Sequence, residues 1–154
     1  MIQRIQTVFL FLAIIALVAF NIFPYWQTTS GQGEQNFLLM SYGFISSSDV
    51  SAFPKLSLYT LVAGISVLAI IIVLVEIFQF KNRVLQMKLA IANSFLMSLN
   101  LALMTYFVIT LQNEYQGTFG VGIFIYALAM LLNILARRFI QKDEKLVRSV
   151  DRLR

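Results

Sequence analysis

The chain has no cysteine and no histidine among its 154 residues, only two prolines, and few charges, with 12% of residues being Asp, Glu, Lys or Arg. The first two absences remove disulfides, thiolate or imidazole metal ligation, cysteine nucleophiles and every triad that uses histidine as its base. No catalytic, cofactor-binding or metal-binding residue is therefore nominated, and no cofactor is expected. The scarcity of charge excludes a water-soluble domain, in which roughly a quarter of residues are charged. Hydrophobic side chains make up 59% of the chain, more than one aqueous core can hide behind so little polar cover. A bilayer is the solvent that fits this composition.

Four long uncharged intervals run from Ile5 to Gly33, Leu56 to Val75, Leu89 to Asn113 and Tyr115 to Ala136. A hydrocarbon core of about 30 Å takes about 20 helical residues to cross, so each interval holds a span. Their apolar parts predict helices over 7–26, 56–80, 89–111 and 118–137. The fold class that follows is an all-α membrane protein, a four-transmembrane-helix antiparallel bundle forming a single integral membrane domain over 1–154. Gln35 to Ser48 is uncharged but short and polar, and belongs to the outer loop 27–55.

Lysine and arginine favour the cytoplasmic side of short loops. Eleven of the twelve fall on one side of this topology: Arg4, then Lys81, Arg83 and Lys88, then seven in the tail 138–154 and its approach. Lys55 stands alone opposite. Both termini are thus expected in the cytoplasm, and the net charge of +5 is mainly a topology signal. The first apolar run resembles a secretory signal, but no small-x-small site follows it. It ends in Asn21-Ile22-Phe23-Pro24-Tyr25-Trp26, where proline stops a helix and aromatics suit an interface, and is read as an uncleaved span.

The loop after it has turn-prone residues between Thr28 and Gly33. Either a small extracytoplasmic β-hairpin, with strands over Tyr25–Thr29 and Phe37–Ser41, or an irregular lid fits. Gln112–Thr118 and Lys81–Lys88 are short turns, which makes helices two to four antiparallel neighbours. Gly117, Gly120 and Gly122 permit close backbone approach without forming a GxxxG motif.

Chemistry inside the spans is confined to a few polar residues. Glu76, Asn93 and Asn133 lie at similar depth, roughly 6–8 Å inside the cytoplasmic charge line at 1.5 Å per residue. With Asn100 they form a possible intramembrane polar cluster, and Arg137 or Lys88 can reach back as counter-charge. An intramembrane carboxylate is a functional candidate, but asparagines between helices also serve as hydrogen-bond glue. Asn93, Met97, Asn100 and Met104 form a helical stripe that belongs inside the bundle. Neither a mid-membrane basic residue nor a Gly/Pro-broken span of the kind transporters use is present. A hydrolase built on Ser94 or Ser98 lacks a base.

No helix breaker separates helix four from the tail, so a cytoplasmic amphipathic helical tail is expected, its stripe made by Phe139, Leu146, Val150 and Leu153. Arg4, Arg137, Arg138, Lys142, Lys145, Arg148, Arg152 and Arg154 offer a surface for lipid head groups or a protein partner. Three acidic residues and the lack of a stacking platform weigh against nucleic acid.

Two terminal stretches carry a resemblance: Met1-Ile2-Gln3-Arg4-Ile5-Gln6-Thr7-Val8, and Ile140-Gln141-Lys142-Asp143-Glu144-Lys145-Leu146-Val147-Arg148-Ser149-Val150-Asp151-Arg152-Leu153-Arg154. With four spans and this length, they resemble the small membrane family of Bacteroidota known as domain-of-unknown-function family 4293. The resemblance implies a four-helix protein of a Gram-negative inner membrane and carries over no activity, cofactor or catalytic residue. The leading expectation is a non-enzymatic integral inner-membrane protein, an accessory or scaffold subunit of a larger membrane assembly whose partners are the lipid bilayer and other membrane proteins. The alternative is a small transporter or proton-coupled factor using Glu76 with Asn93, Asn100 and Asn133.

Overall fold

A computed structural model describes residues 5–28, 37–46, 58–79, 82–113 and 115–151. Four helices, α1 (Ile5–Phe20), α2 (Thr60–Phe78), α3 (Arg83–Gln112) and α4 (Val121–Asp151), are joined by four short strands, β1 (Trp26–Thr28), β2 (Phe37–Met40), β3 (Gly43–Ser46) and β4 (Gly117–Phe119). The helices form a ring in which each packs on two neighbours, with α1 against α4 as the most extensive contact. Three of them, α2, α3 and α4, are long and apolar enough to cross a membrane, and α1 is a shorter apolar helix.

The end of α1 and the start of α3 each have a local cause. α1 stops short of the expected 26 because Pro24 lacks a donor and fixes its own φ. The last carbonyls before it are taken up by the turn, with Ile22 N–H donating to Ala19 O at 2.9 Å. The side chain of Asn21 donates to Leu17 O at 2.8 Å. α3 begins earlier than the expected 89 because Asn82 caps it, its Oδ1 accepting from Leu85 N–H at 3.1 Å, the role short polar side chains serve at helix starts. α4 starts at Val121 and runs unbroken to Asp151, so the expected tail helix continues the fourth helix without a break in its backbone.

A hairpin understates the β structure. The sheet has four strands in the order β3-β2-β1-β4, all antiparallel, with Trp26 opposite Leu39 on one side and Phe119 on the other. Leu39 in turn faces Phe44 across the tight Ser41-Tyr42 turn. Gln112–Thr118, expected as a plain turn, contributes β4, and part of the segment placed in the outer loop forms β2 and β3. Ala63 N–H donates to Ser41 O at 3.0 Å, which ties the β2–β3 turn to the start of α2. The sheet therefore seats on one end of the bundle.

Gly120 N–H donates to Tyr25 O and Gly122 N–H to Pro24 O, both at 2.9 Å. A methyl group at Gly122 would lie 2.7 Å from Phe23 O and 2.9 Å from Pro24 O, and one at Gly117 would run into the Trp26 ring. The three glycines let the start of α4 lie directly on the α1–β1 turn. At this joint Phe20 meets Tyr126 edge-on, with centroids 4.7 Å apart, an arrangement favoured by the ring quadrupoles. Trp26, Tyr25 and Leu39 are fully buried beside them.

The outward faces are apolar on every helix. Phe11 and Ile15 on α1, Val67 and Ile71 on α2, Phe95 and Tyr106 on α3, and Phe124 and Leu131 on α4 are all exposed. The buried polar residues Gln6, Ser66, Glu76, Gln86, Asn93, Asn100 and Asn133 lie inside. Soluble monomers rarely expose contiguous apolar surface on this scale.

Candidate functional site: three buried polar layers

α3 supplies the axis of the interior. Gln86, Ala90, Asn93, Met97, Asn100 and Met104 are all buried, and their alternating steps of three and four keep them on one face. The polar members of this stripe mark three depths.

Nearest the sheet, Asn100 Nδ2 donates to Val62 O at 3.2 Å and to the Tyr126 hydroxyl at 3.1 Å, which joins α3 to α2 and α4. Close by, Ser66 Oγ donates to Asn21 Oδ1 at 2.9 Å and so ties α2 to the end of α1. In the middle layer, Asn93 Nδ2 donates to Asn133 Oδ1 at 3.5 Å. Asn133 Nδ2 donates to Ser94 Oγ at 3.0 Å and to Ala90 O at 3.4 Å. These bonds clasp α3 to α4.

The third layer lies at the end away from the sheet. Glu76 is 0% exposed, in the last turn of α2, and both its carboxylate oxygens lack a hydrogen-bond partner. Gln86 Nε2 donates to the backbone oxygen of Glu76 at 3.0 Å. Only the nitrogen of an amide can donate there, so this bond assigns the orientation of the Gln86 amide, and its Oε1 is buried without a partner. Gln6 joins the layer by register. Leu10, Val73 and Ala136 form one buried cluster, and Gln6 and Glu76 each lie one turn beyond it toward the same end of antiparallel helices. The Gln6 Oε1 is likewise buried and unpartnered.

All four residues of the expected polar cluster are buried, but they do not meet as one group. Asn93 and Asn133 bond directly; Asn100 lies about 10 Å along α3, seven residues away; the Glu76 carboxylate bonds to none of them. Arg137 is half-buried with an unpartnered Nε, while Arg138 and Lys142 are exposed. Arg83 reaches from α3 to the Asp143 backbone oxygen at 3.2 Å. Arg4, Arg152 and Arg154 lie outside the described residues, and Lys145 and Arg148 are described only as helix backbone. Among the described residues, no three His, Cys, Asp or Glu side chains gather as metal ligands.

Gln86, Ser66, Asn21 and Tyr126 were not nominated from sequence, and Gln6, grouped there with Arg4 at the cytoplasmic end, was not placed inside the bundle. Gln86 had a signal, since it lies seven residues before Asn93 on the same stripe. Gln6 had one too, four residues before Leu10 on the stripe that continues through Ala13 and Leu17, all of them buried. Proximity to the charged ends concealed both.

The architecture defines a small helical bundle with an apolar outer face and polar layers set in an otherwise apolar core, capped at one end by a four-stranded sheet. The chain belongs to the family described as Domain of unknown function (DUF4293), whose sequence profile matches residues 2–153. A search of curated proteins finds no match to it.

Proposed function

We propose that this protein is a non-enzymatic, multi-pass integral protein of the bacterial inner membrane, with both termini cytoplasmic, acting as an accessory or scaffold subunit of a larger membrane assembly. α4 carries the reading. Its 31 residues span about 46 Å at 1.5 Å per residue, well beyond a hydrocarbon core of about 30 Å. One continuous helix thereby connects the folded sheet to a charged segment that projects past the bundle at the other end. Such a rod presents docking surface on both sides of a bilayer while its apolar flank contacts lipid. In this reading α1, helped by the residues flanking it, serves as the fourth span. Arg137, Arg138, Lys142, Lys145, Arg148, Arg152 and Arg154, with Arg4, form the lipid- or partner-facing surface.

Photo-crosslinking in native membranes from Arg138 or Lys142 positions tests the proposal. Recovery of a discrete membrane-protein adduct is expected, and a chain that crosslinks only to lipid and purifies as a solitary monomer would refute it.

The second reading, a small transporter or proton-coupled factor using Glu76, with Asn93, Asn100 and Asn133 along the path, is favoured by the buried carboxylate that no donor meets. Ion flux into proteoliposomes that Glu76→Gln abolishes would support it, and flux unaffected by that change would remove it.

A further inference from the structure

We infer that Glu76, Gln86 and Gln6 form a binding site for a monovalent cation between α1, α2 and α3, at the end of the bundle away from the sheet. The site deepens the second reading, but its test reads binding rather than flux, so the two fail separately.

Oxygen excess carries the argument. Glu76, Gln86 and Gln6 are 0%, 1% and 3% exposed, and between them they hold four buried oxygens with no hydrogen bond: both carboxylate oxygens, Gln86 Oε1 and Gln6 Oε1. The Gln86 amide cannot turn to offer its nitrogen instead without losing its bond to Glu76 O. A buried carboxylate without a compensating charge is among the costliest arrangements a protein can hold. Its position adds to the demand for positive charge, because Glu76 lies in the last turn of α2, where the helix dipole places partial negative charge.

The chemistry of the donors selects the ligand. Carboxylate and amide oxygens are hard ligands suited to sodium-like or alkaline-earth ions rather than to soft metals. One carboxylate neutralises one positive charge, so a divalent ion would leave a net buried charge. Among the described residues, the charged groups around the site are few. On α3, Lys88 is exposed and Arg83 bonds to Asp143 O. On α4, Arg137 lies one turn beyond Asn133, on the side facing α3, and its Nε has no partner. The described part of α1 carries no charged residue. Arg137 is therefore the cation's one built-in competitor among the described residues.

Thermal unfolding of the purified full-length protein in mild detergent, in sodium chloride or N-methyl-D-glucamine chloride at equal ionic strength, tests the site. Sodium is expected to stabilise the wild type saturably, raising the folded-to-unfolded ratio about 100-fold at about 100 times Kd. The near-isosteric Glu76→Gln variant should fold and lose all sodium dependence. Gln86→Ala should weaken apparent sodium affinity by about tenfold or more, the scale on which metal sites respond to a lost supporting group. Arg137→Gln should tighten it by removing the competing charge. Identical unfolding in the two salts, a sodium effect that survives Glu76→Gln, or a stabilisation that follows pH alone would each overturn the inference, the last in favour of a proton on Glu76.

Discussion

Replacing Gly122 by alanine should weaken the fold, whereas the same replacement at Gly64 should strengthen it. At Gly122 the added methyl lies 2.7 Å from Phe23 O, 2.9 Å from Pro24 O and 3.0 Å from Pro24 C. All three are backbone atoms, so no side chain can swing away, and the α1–β1 turn must retreat from α4. Overpacking of this kind costs about 1–3 kcal/mol, and stretching the Gly122 N–H bond to Pro24 O adds up to about 1 kcal/mol. A net loss of about 2 kcal/mol lowers the midpoint by about 4–8 °C for a chain of this size. Gly64 sits within α2 with nothing inside 4 Å of the added methyl. Alanine there gains about 0.5–1 kcal/mol in a helix interior, or about 1–4 °C. Trp26, the one tryptophan of the chain, is buried at the same joint, so its fluorescence reports directly on separation of sheet and bundle. Equal stability of Gly122→Ala and wild type, or a matching loss in Gly64→Ala, would show that the close approach of α4 to the turn does not constrain the fold.

The Asn100–Tyr126 bond should yield a coupling energy of about 1 kcal/mol in a double-mutant cycle of Asn100→Ala and Tyr126→Phe, and strict additivity of the two losses would argue against it. Ser66→Ala removes the tie from α2 to Asn21 and should cost about 1 kcal/mol, read as a lower unfolding midpoint; an unchanged midpoint contradicts the tie. Because the chain has no cysteine, single substitutions allow clean topology mapping. Thr118→Cys on β4 should react with an impermeant maleimide applied outside the inner membrane, and Lys142→Cys only after permeabilisation; the opposite pattern would invert the proposed orientation.

Charge gaps locate apolar segments well and helix ends poorly, because a helix does not stop where charge begins. α2, Thr60–Phe78, falls within the span expected at 56–80. α3 overruns its gap because Arg83 and Lys88 occupy its first turns behind the Asn82 cap. Tyr25 and Trp26, counted as the end of a span, leave the helix after Pro24, and Trp26 pairs with Leu39 and Phe119. The strand Gly117–Phe119 escapes detection for a different reason. Three residues show no period, and their pairing with β1 is set by a partner some ninety positions earlier. The three nearby glycines were the visible trace of that contact, legible as close approach but silent about what approaches.

The interior was legible in part for a similar reason. Helical spacing placed Asn93 and Asn100 on one inward stripe, and depth placed Asn133 opposite Asn93, but spacing cannot say whether a polar group finds a donor. In two of the three layers the amide nitrogens are bonded across helices, although Asn93 Oδ1 and Asn100 Oδ1 are buried without a partner. The Asn100 and Asn133 amides donate to oxygens of neighbouring helices, and interhelical bonds of this kind contribute about 0.6–1.7 kcal/mol each, enough to set helix register. The Glu76 layer leaves more unbonded: four buried oxygens without a partner, two of them on a carboxylate. Helix packing alone gives no reason for that imbalance, since leucine at Glu76 and Gln6 would fill the space without the cost of burying a carboxylate. Interhelical bonding therefore accounts for the asparagine amides but not for the glutamate, whose unpartnered carboxylate in the last turn of α2 is what the inferred cation site would satisfy.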